Sequence, residues 1–151
     1  MRTNNQVAIY CSFKEKKRFF YILVKRNEDR GGFWQPITGG EEDVDKGDLI
    51  KTVIREIKEE LGIDIPRKQI IKLPYSFKFS DKEGVEKTEN CFGVTLFLRQ
   101  KKDICLSEEH TAMIYSANPE YLKSMLAFKE NQTGLEKFVE WASSTRKKYE
   151  D

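Results

Sequence analysis

Three glutamates stand close together in the stretch "REIKEELGI", which runs from Arg55 to Ile63. Glu56, Glu59 and Glu60 fall at positions i, i+3 and i+4, so a helix would place their carboxylates on one face. Like charges at this spacing destabilise a helix by a few tenths of a kcal/mol each. A hard divalent cation, which prefers carboxylate oxygens, would neutralise them. The alternative is a solvated helix face balanced by neighbouring basic residues.

The glutamates belong to a predicted helix from Leu49 to Leu61. Gly62 follows as a typical C-terminal stop. Before the helix, the stretch "FWQPITGG" predicts a short strand that ends at Gly39 and Gly40, where the backbone can turn tightly or approach a ligand. Apolar side chains recur along the helix with the 3.6-residue period of one buried face: Ile50, Val53, Ile54, Ile57 and Leu61.

This order of glycines, loop and acidic helix resembles the Nudix box, the signature of the Nudix family. In general form the box runs G, five residues, E, seven residues, then R-E-hydrophobic-x-E-E-x-G-hydrophobic. The stretch from Arg55 to Ile63 matches every specified position of the second half. The resemblance implies an α+β fold, an α/β/α sandwich whose central mixed β-sheet is flanked by helices. It also implies that water attacks phosphorus in a nucleoside diphosphate linked to another group, with Mg²⁺ or Mn²⁺ as the cofactor.

The first half of the box departs from the family pattern. Gly47 stands where the first glutamate is expected, and six residues rather than five separate it from Gly40. The loop therefore carries an insertion. Asp48, one position out of register, is the candidate to take over the missing role. Asp43 and Asp45 are equally compatible with plain solvated turn residues.

The resemblance implies roles for individual residues. Glu59 and Glu60 would be metal ligands, and the Gly40 carbonyl would be another. Glu56 would be a further ligand or the base that activates water, and Arg55 the cation that orients the glutamates. Phosphoryl chemistry asks a protein mainly for positioning and charge neutralisation, which these residue types supply.

In several family members a glutamate outside the box completes the metal site or serves as the base. Glu109 in "SEEH" is the preferred catalytic candidate here. Glu89 in "KTEN" is the second, and it is also a substrate-binding candidate. The alternative for both is an ordinary surface acid. His110, the only histidine, is expected to be structural or solvated rather than catalytic.

The stretch "FWQPITGG" also lacks the more common proline just before the glycines, and it resembles the "FWQ-x-x-TG" entry of dihydroneopterin triphosphate pyrophosphohydrolases. The stretches "KTENCFGVTLFL", "SEEH" and "GLEKFV" follow in an order similar to later motifs of that subfamily. The resemblance implies that a pterin or nucleoside triphosphate is cleaved to the monophosphate and pyrophosphate. The alternatives are a dinucleoside polyphosphate, a nucleotide sugar or an RNA cap as substrate, or a weakly active nucleotide-binding module.

Such a substrate requires aromatic faces for a flat heterocycle and cations for the phosphates. The candidate aromatic residues are Trp34, Phe33 and Phe92. The candidate cations are Lys25, Arg26 and Arg30. For the aromatic residues the alternative is a place in the core, and for the cations it is a basic cluster that solubilises a loop.

Composition predicts one globular domain over all 151 residues. A net charge of only +2 gives no global field for nucleic acid or an anionic membrane, so a partner is expected to be chosen by local contacts. The resemblance implies that this partner is a small-molecule nucleoside or pterin triphosphate. The three cysteines show no C-x-x-C spacing, so neither a disulfide framework nor a zinc site is predicted. With no signal peptide or bilayer-spanning run, the sequence favours a cytoplasmic protein. A monomer and a homodimer are both compatible with the sequence.

The remaining patterns predict a layered domain. Two hairpins are expected, "QVAIYCSF" with "RFFYILVKR" and "IIKLPYSFKF" with "NCFGVTLFLRQ", and "HTAMIYS" predicts a further strand. "NPEYLKSML" predicts a short helix capped by Asn118, with Pro119 in its first turn. "GLEKFVEWASSTRKKY" predicts a terminal amphipathic helix.

Overall fold

The computed structural model describes residues 4–145. These residues form a mixed seven-stranded sheet with helices against it, as predicted. The strands are β1 (Asn5–Glu15), β2 (Arg18–Arg26), β3 (Trp34–Gln35), β4 (Ile37–Gly40), β5 (Ile70–Ser80), β6 (Glu86–Leu96) and β7 (His110–Ser116). The helices are α1 (Leu49–Leu61), α2 (Leu98–Lys102), α3 (Pro119–Met125) and α4 (Lys129–Thr145). None of the described helices is long and apolar enough to cross a membrane.

Strand β1 lies at the centre of the sheet. Strand β6 runs parallel to it along one edge, and β5 pairs antiparallel with β6. Along its other edge β1 changes partner, because residues 11–15 pair with β2 whereas residues 6–9 pair with β4. Strand β2 continues beyond this point against β3 and β7. Strands β1 and β2 therefore diverge, which leaves room between them for a cavity.

The alternation of side chains along β1 divides the core into two clusters. Val7 and Ile9 pack on the face that α1 covers, and Ala8 and Tyr10 pack on the face that α4 covers. Helix α1 contributes Val53, Ile57 and Leu61 to the first cluster. Helix α4 contributes Leu135, Phe138 and Ala142 to the second. Burying these stripes on opposite faces holds α1 and α4 in a sandwich around the sheet.

Two of the predicted bounds are wrong. The predicted strand "NCFGVTLFLRQ" ends at Leu96, and α2 follows instead, where the Gln100 side chain accepts a hydrogen bond of 2.8 Å from the Phe97 amide. Helix α4 begins at Lys129, earlier than the predicted Gly134. The last residues of the predicted terminal helix lie outside the described residues. Helices α1 and α3 match the predictions, including the cap at Asn118.

Candidate active site

Helix α1 brings the three glutamates of the motif together, as their spacing predicts. One carboxylate oxygen from each of Glu56, Glu59 and Glu60 lies within 4.8 Å of the others. Glu56 and Glu60 are buried and Glu59 is exposed, so the cluster opens to solvent on one side. A donor set made only of carboxylate oxygens suits a hard cation such as Mg²⁺ or Mn²⁺ and not a soft one.

Glu56 is packed against strand β4. A Cβ atom on Gly39 would lie 2.1 Å from Glu56 Cδ, so the carboxylate occupies space that only glycine leaves open. Burial and then the charge of Glu59 raise the pKa of Glu56 to about 7, against the opposing effect of Arg55. A carboxyl that titrates near neutrality is suited to general acid–base catalysis.

Arg55 joins the loop before α1 to the acidic face of the helix. Its Nε donates to Asp45 Oδ1 at 3.1 Å and its Nη2 to Asp45 Oδ2 at 2.8 Å, a bidentate pair. Nη1 lies 3.1 Å from Glu42 Oε2 and 3.1 Å from Glu56 Oε2. Nη2 also donates to the Gly40 carbonyl at 2.8 Å. The guanidinium therefore ties together the loop, the end of β4 and the base of the cluster.

Asp45, rather than Asp48, makes the contact with Arg55. Asp45 is not a plain solvated turn residue, the alternative that the sequence left open, because it is only 2% exposed and also accepts a 2.9 Å hydrogen bond from Thr52 Oγ1. Burial alone would raise the pKa of Asp45, but the hydrogen bonds from Arg55 and its other donors lower it to about 2. Asp45 is therefore ionised at neutral pH.

Asp48 has a different role. Its side chain caps α1 by accepting a 3.0 Å hydrogen bond from the Ile50 amide, and its other oxygen lies 2.8 Å from Arg67 Nη1. The insertion is absorbed by a 3₁₀ turn at Asp43–Asp45, after which Lys46 adopts the left-handed conformation with φ 53°. This turn reverses the loop and directs the Asp45 side chain back toward α1.

Glu60 is held by the segment before β7. Ser107 Oγ donates to Glu60 Oε2 at 3.0 Å, and His110 Nδ1 lies 2.8 Å from the same oxygen. Burial would raise the pKa of Glu60, but contacts with His110 and Ser107 lower it overall. The Cys105 amide donates to the Leu61 carbonyl at 2.8 Å, which fixes the segment to the end of α1. His110 is buried beside Glu60, a structural position as expected.

Glu109 lies in the same segment, and its carboxylate contacts both Glu60 and Arg30. The side chains of Glu109 and Arg30 are about half exposed, and Glu109 Oε1 lies 3.1 Å from Arg30 Nη1. Within residues 4–145, the cluster that could hold a metal contains Glu56, Glu59 and Glu60 but not Glu109. Glu109 nevertheless contributes a side-chain hydrogen bond to Glu60, a member of that cluster. A catalytic role for Glu109 stays a prediction.

A cavity of about 450 Å³ opens where β1 and β2 diverge. Strand β4 connects it to the glutamate cluster, since Thr38 lines the cavity and the Gly40 carbonyl contacts Arg55. The rings of Phe33 and Phe128 meet edge to face at its wall, with centroids 5.0 Å apart. The lining combines aromatic rings, amides and charged groups: Gln6, Arg26, Phe33, Gln35, Thr38, Phe77, Phe79, Ser80, Glu89, Phe128, Glu130 and Asn131.

Two of the predicted substrate-binding residues, Arg26 and Glu89, line this cavity. Phe33 does so too. Glu89 is 7% exposed, and burial followed by the charge of Glu130 raises its pKa to about 7. Arg26 Nε is buried and has no hydrogen-bond partner within the described part of the chain. Both groups are therefore available to a ligand.

Three other predicted substrate-binding residues do not line the cavity. Neighbouring side chains on an extended segment point to opposite faces. Phe33 and Gln35 point into the cavity, so Trp34 between them packs against the core beneath α4. Lys25 alternates with Arg26 in the same way, and its Nζ lies 3.8 Å from Glu28. Phe92 is 3% exposed and belongs to the core beneath α1, which is the alternative that the sequence left open.

The sequence analysis missed several lining residues. Phe77 and Phe79 lie in the alternating stretch "YSFKF" of β5, a signal of one aromatic strand face. Phe128 and Asn131 come from the connection to α4 and from its first turn, where no local pattern marks a site. Asp45 and Ser107 were missed because their contacts depend on the paths of two loops.

Comparison with known proteins places this site in a family. The sequence profile of the NUDIX domain matches residues 3–141. The chain belongs to the Nudix family. The match confirms the resemblance found in the motif. A Myxococcus xanthus relative named octanoyltransferase is 31% identical over 108 residues, which is 69% of this chain. The matched region spans only 28% of that relative's length.

Solved Nudix structures have the same fold. A C. elegans Ap4A hydrolase in a binary complex is 20% identical, with a TM-score of 0.75 over 93% of this chain and 98% of the other. The E. coli dihydroneopterin triphosphate pyrophosphohydrolase is 24% identical, with a TM-score of 0.73 over the same shares. The NUDIX domain of Shewanella oneidensis NrtR, complexed with ADP ribose, is 16% identical, with a TM-score of 0.71 over 91% and 86%. These likenesses confirm the α/β/α sandwich.

Proposed function

We propose that this Nudix protein hydrolyses a nucleoside or pterin triphosphate to the monophosphate and pyrophosphate, using Mg²⁺ or Mn²⁺. The observation that carries the proposal is the convergence of Glu56, Glu59 and Glu60 beside a cavity that has aromatic walls. Similarity to the E. coli dihydroneopterin triphosphate pyrophosphohydrolase supports a triphosphate of this kind. The expected setting remains the cytoplasm.

A divalent cation held by Glu59, Glu60 and Glu56 would neutralise phosphate charge and lower the pKa of a bound water. The Gly40 carbonyl remains a candidate ligand, although it already accepts a hydrogen bond from Arg55 Nη2 at 2.8 Å. Ser107 and His110 fix the Glu60 oxygen through contacts of 3.0 and 2.8 Å. These two contacts hold the Glu60 carboxylate in a fixed orientation, so that it is positioned to bind a metal ion.

The base that takes a proton from the attacking water is assigned to Glu56. Its place within the carboxylate cluster supports that role. Arg55 Nη1 donates to Glu56 Oε2 at 3.1 Å, which orients the carboxylate. Glu109 is the second candidate, since breaking its exposed pair with Arg30 costs less than about 1 kcal/mol.

A binding module that senses a nucleotide is the second candidate function. The ADP ribose complex of the NrtR NUDIX domain favours it, because that domain has a similar fold. The intact carboxylate cluster argues for catalysis instead, because a protein that only binds has no need to keep like charges on one helix face.

The decisive experiment offers the protein a panel of triphosphates, nucleotide sugars and dinucleoside polyphosphates with Mg²⁺ in ¹⁸O-labelled water. Mass spectrometry of the products identifies the attacked phosphorus. We expect pyrophosphate release from a triphosphate, reduced by at least about 100-fold in Glu59→Gln and Glu60→Gln. Glu83→Gln, an exposed acid in the β5–β6 turn, is the matched control. Full activity in both cluster variants would refute the mechanism, and nucleotide binding without turnover would favour the sensor.

A further inference from the structure

Glu89 presents a buried acid to the cavity from strand β6. It is 7% exposed, and none of the described residues, 4–145, donates a hydrogen bond to its carboxylate. The charge of Glu130, on the same wall, acts against its ionisation. Burying an acid without a donor costs free energy, and a second acid nearby adds to the cost. A ligand with hydrogen-bond donors would remove that cost.

The other walls of the cavity suit a flat ring. Phe33, Phe77, Phe79 and Phe128 line it, and aromatic faces of this kind stack on heterocycles. A volume of about 450 Å³ lies in the range of small-molecule sites and accommodates a bicyclic ring. A small ion would leave the aromatic walls uncovered. The expected ligand therefore combines an aromatic ring with hydrogen-bond donors at the edge of that ring.

We propose that Glu89 selects substrates whose ring carries a 2-amino-4-oxo pyrimidine edge, as guanine and pterins do. A carboxylate only accepts hydrogen bonds, and its two oxygens lie side by side. This edge offers two adjacent donors, the ring N–H and the exocyclic amino group, one for each oxygen. Adenine and cytosine offer a donor beside an acceptor, and uracil a single donor between two acceptors. Each of these leaves a carboxylate oxygen facing an acceptor, which costs affinity.

Arg26 lies in the same cavity as Glu89 and on a strand next to the segment that contacts the glutamate cluster. Arg26 lines the cavity, and its partner across the β2–β7 pairing is His110, which lies 2.8 Å from Glu60. A ring held at Glu89 would therefore share its cavity with the Arg26 cation, which lies on a strand that pairs with the segment contacting Glu60. That position suits the phosphate chain, because a guanidinium binds phosphate oxygens well. The inference rests on the proposed function in treating the cavity as the site of the substrate's ring.

The test measures nucleoside binding without metal and without turnover, so it stays informative even if no triphosphate is hydrolysed. Guanosine, inosine and adenosine are titrated by calorimetry into the full chain in EDTA. Glu89→Gln is compared with Glu86→Gln, the same change at an exposed position of β6. Melting temperatures confirm that both variants fold.

We expect guanosine to bind at least about 10-fold more tightly than adenosine, and inosine, which lacks the amino group, to fall between them. Glu89→Gln should weaken guanosine binding about 10- to 100-fold and strengthen adenosine binding, because an amide offers one donor and one acceptor. Glu86→Gln should leave all three affinities unchanged. Equal affinities, a preference that survives Glu89→Gln, or no binding by any nucleoside would each overturn the assignment. Selective guanosine binding without hydrolysis would uphold it and refute only the proposed reaction.

Discussion

Arg55 is the residue that makes a concentration of negative charge tolerable before any metal binds. It contacts Asp45, Glu42 and Glu56 at 2.8 to 3.1 Å. Hydrogen bonding to Asp45 is the largest cause that raises the pKa of Arg55 above its usual range, so the guanidinium is permanently charged. Asp45 is not a member of the carboxylate cluster formed by Glu56, Glu59 and Glu60. Its bidentate pair with Arg55 fixes the plane in which the guanidinium meets Glu56.

Asp45→Asn tests this role at the scale of the residue. A carboxylate whose pKa is lowered in the folded state stabilises the fold above its ordinary pKa, and that contribution is lost as the pH falls toward about 2. We expect the variant to lose about 2 kcal/mol of unfolding free energy at pH 7, and the difference from wild type to shrink below about pH 4. Urea denaturation at several pH values measures it.

Asp29→Asn, an exposed aspartate in the 3₁₀ turn after β2, is the matched control. It should change the unfolding free energy by less than about 0.5 kcal/mol. If Asp45→Asn were as stable as this control at neutral pH, Asp45 would not be the anchor of Arg55. Retained activity in Asp45→Asn would also show that the orientation of Arg55 does not govern Glu56.

At the scale of elements, the contact between β4 and α1 positions Glu56. The Gly39 Cα faces α1, and a Cβ there would lie 2.1 Å from Glu56 Cδ. Glycine at this position is therefore part of the site, although it contributes no functional group. The same contact explains the first of the two glycines that end the strand in the sequence.

Gly39→Ala should displace Glu56 and spoil the geometry of the cluster. We expect the variant to need at least about 10-fold more Mg²⁺ for half-maximal activity, with kcat reduced about 100-fold. The double variant Gly39→Ala/Glu56→Ala removes the clash, so its melting temperature should recover while its activity stays low. Wild-type Mg²⁺ dependence in Gly39→Ala would contradict the tight contact.

Helices α1 and α4 differ in how well a local sequence pattern predicts where they begin and end. Helix α1 has the predicted bounds because its apolar period, its cap and Gly62 all lie within the segment. Helix α4 begins before its predicted start because Gly134 looks like a boundary but lies inside the helix. A Cβ there would lie 2.2 Å from Tyr10 Oη, so the glycine serves close packing of α4 on β1. That reason is tertiary, and the sequence alone does not reveal it.

For the whole molecule, the partner change along β1 leaves room for the cavity lined by Arg26 and Thr38. Pairing with β2 over residues 11–15 and with β4 over residues 6–9 separates the strands that carry Arg26 and Thr38. The metal-binding candidates could be predicted because they follow one another on one helix. The cavity wall could not, since Gln6, Glu89 and Phe128 come from distant segments that meet only in the folded sheet.

The buried Glu89 carboxylate is expected to lower the free energy of unfolding at pH values at which it is ionised. A carboxyl whose pKa is raised in the folded state binds its proton more tightly when folded, so unfolding free energy falls as the pH rises from about 4.5 to about 7. We expect Glu89→Gln to match wild type near pH 5 and to exceed it by about 2 kcal/mol at pH 8, as measured by urea denaturation. Glu86→Gln, exposed on the same strand, should show no such pH-dependent gain. Wild type more stable than Glu89→Gln at pH 8 would mean that the acid has a hydrogen-bond donor in the folded protein, which would contradict the inference that Glu89 binds the donors of a ligand.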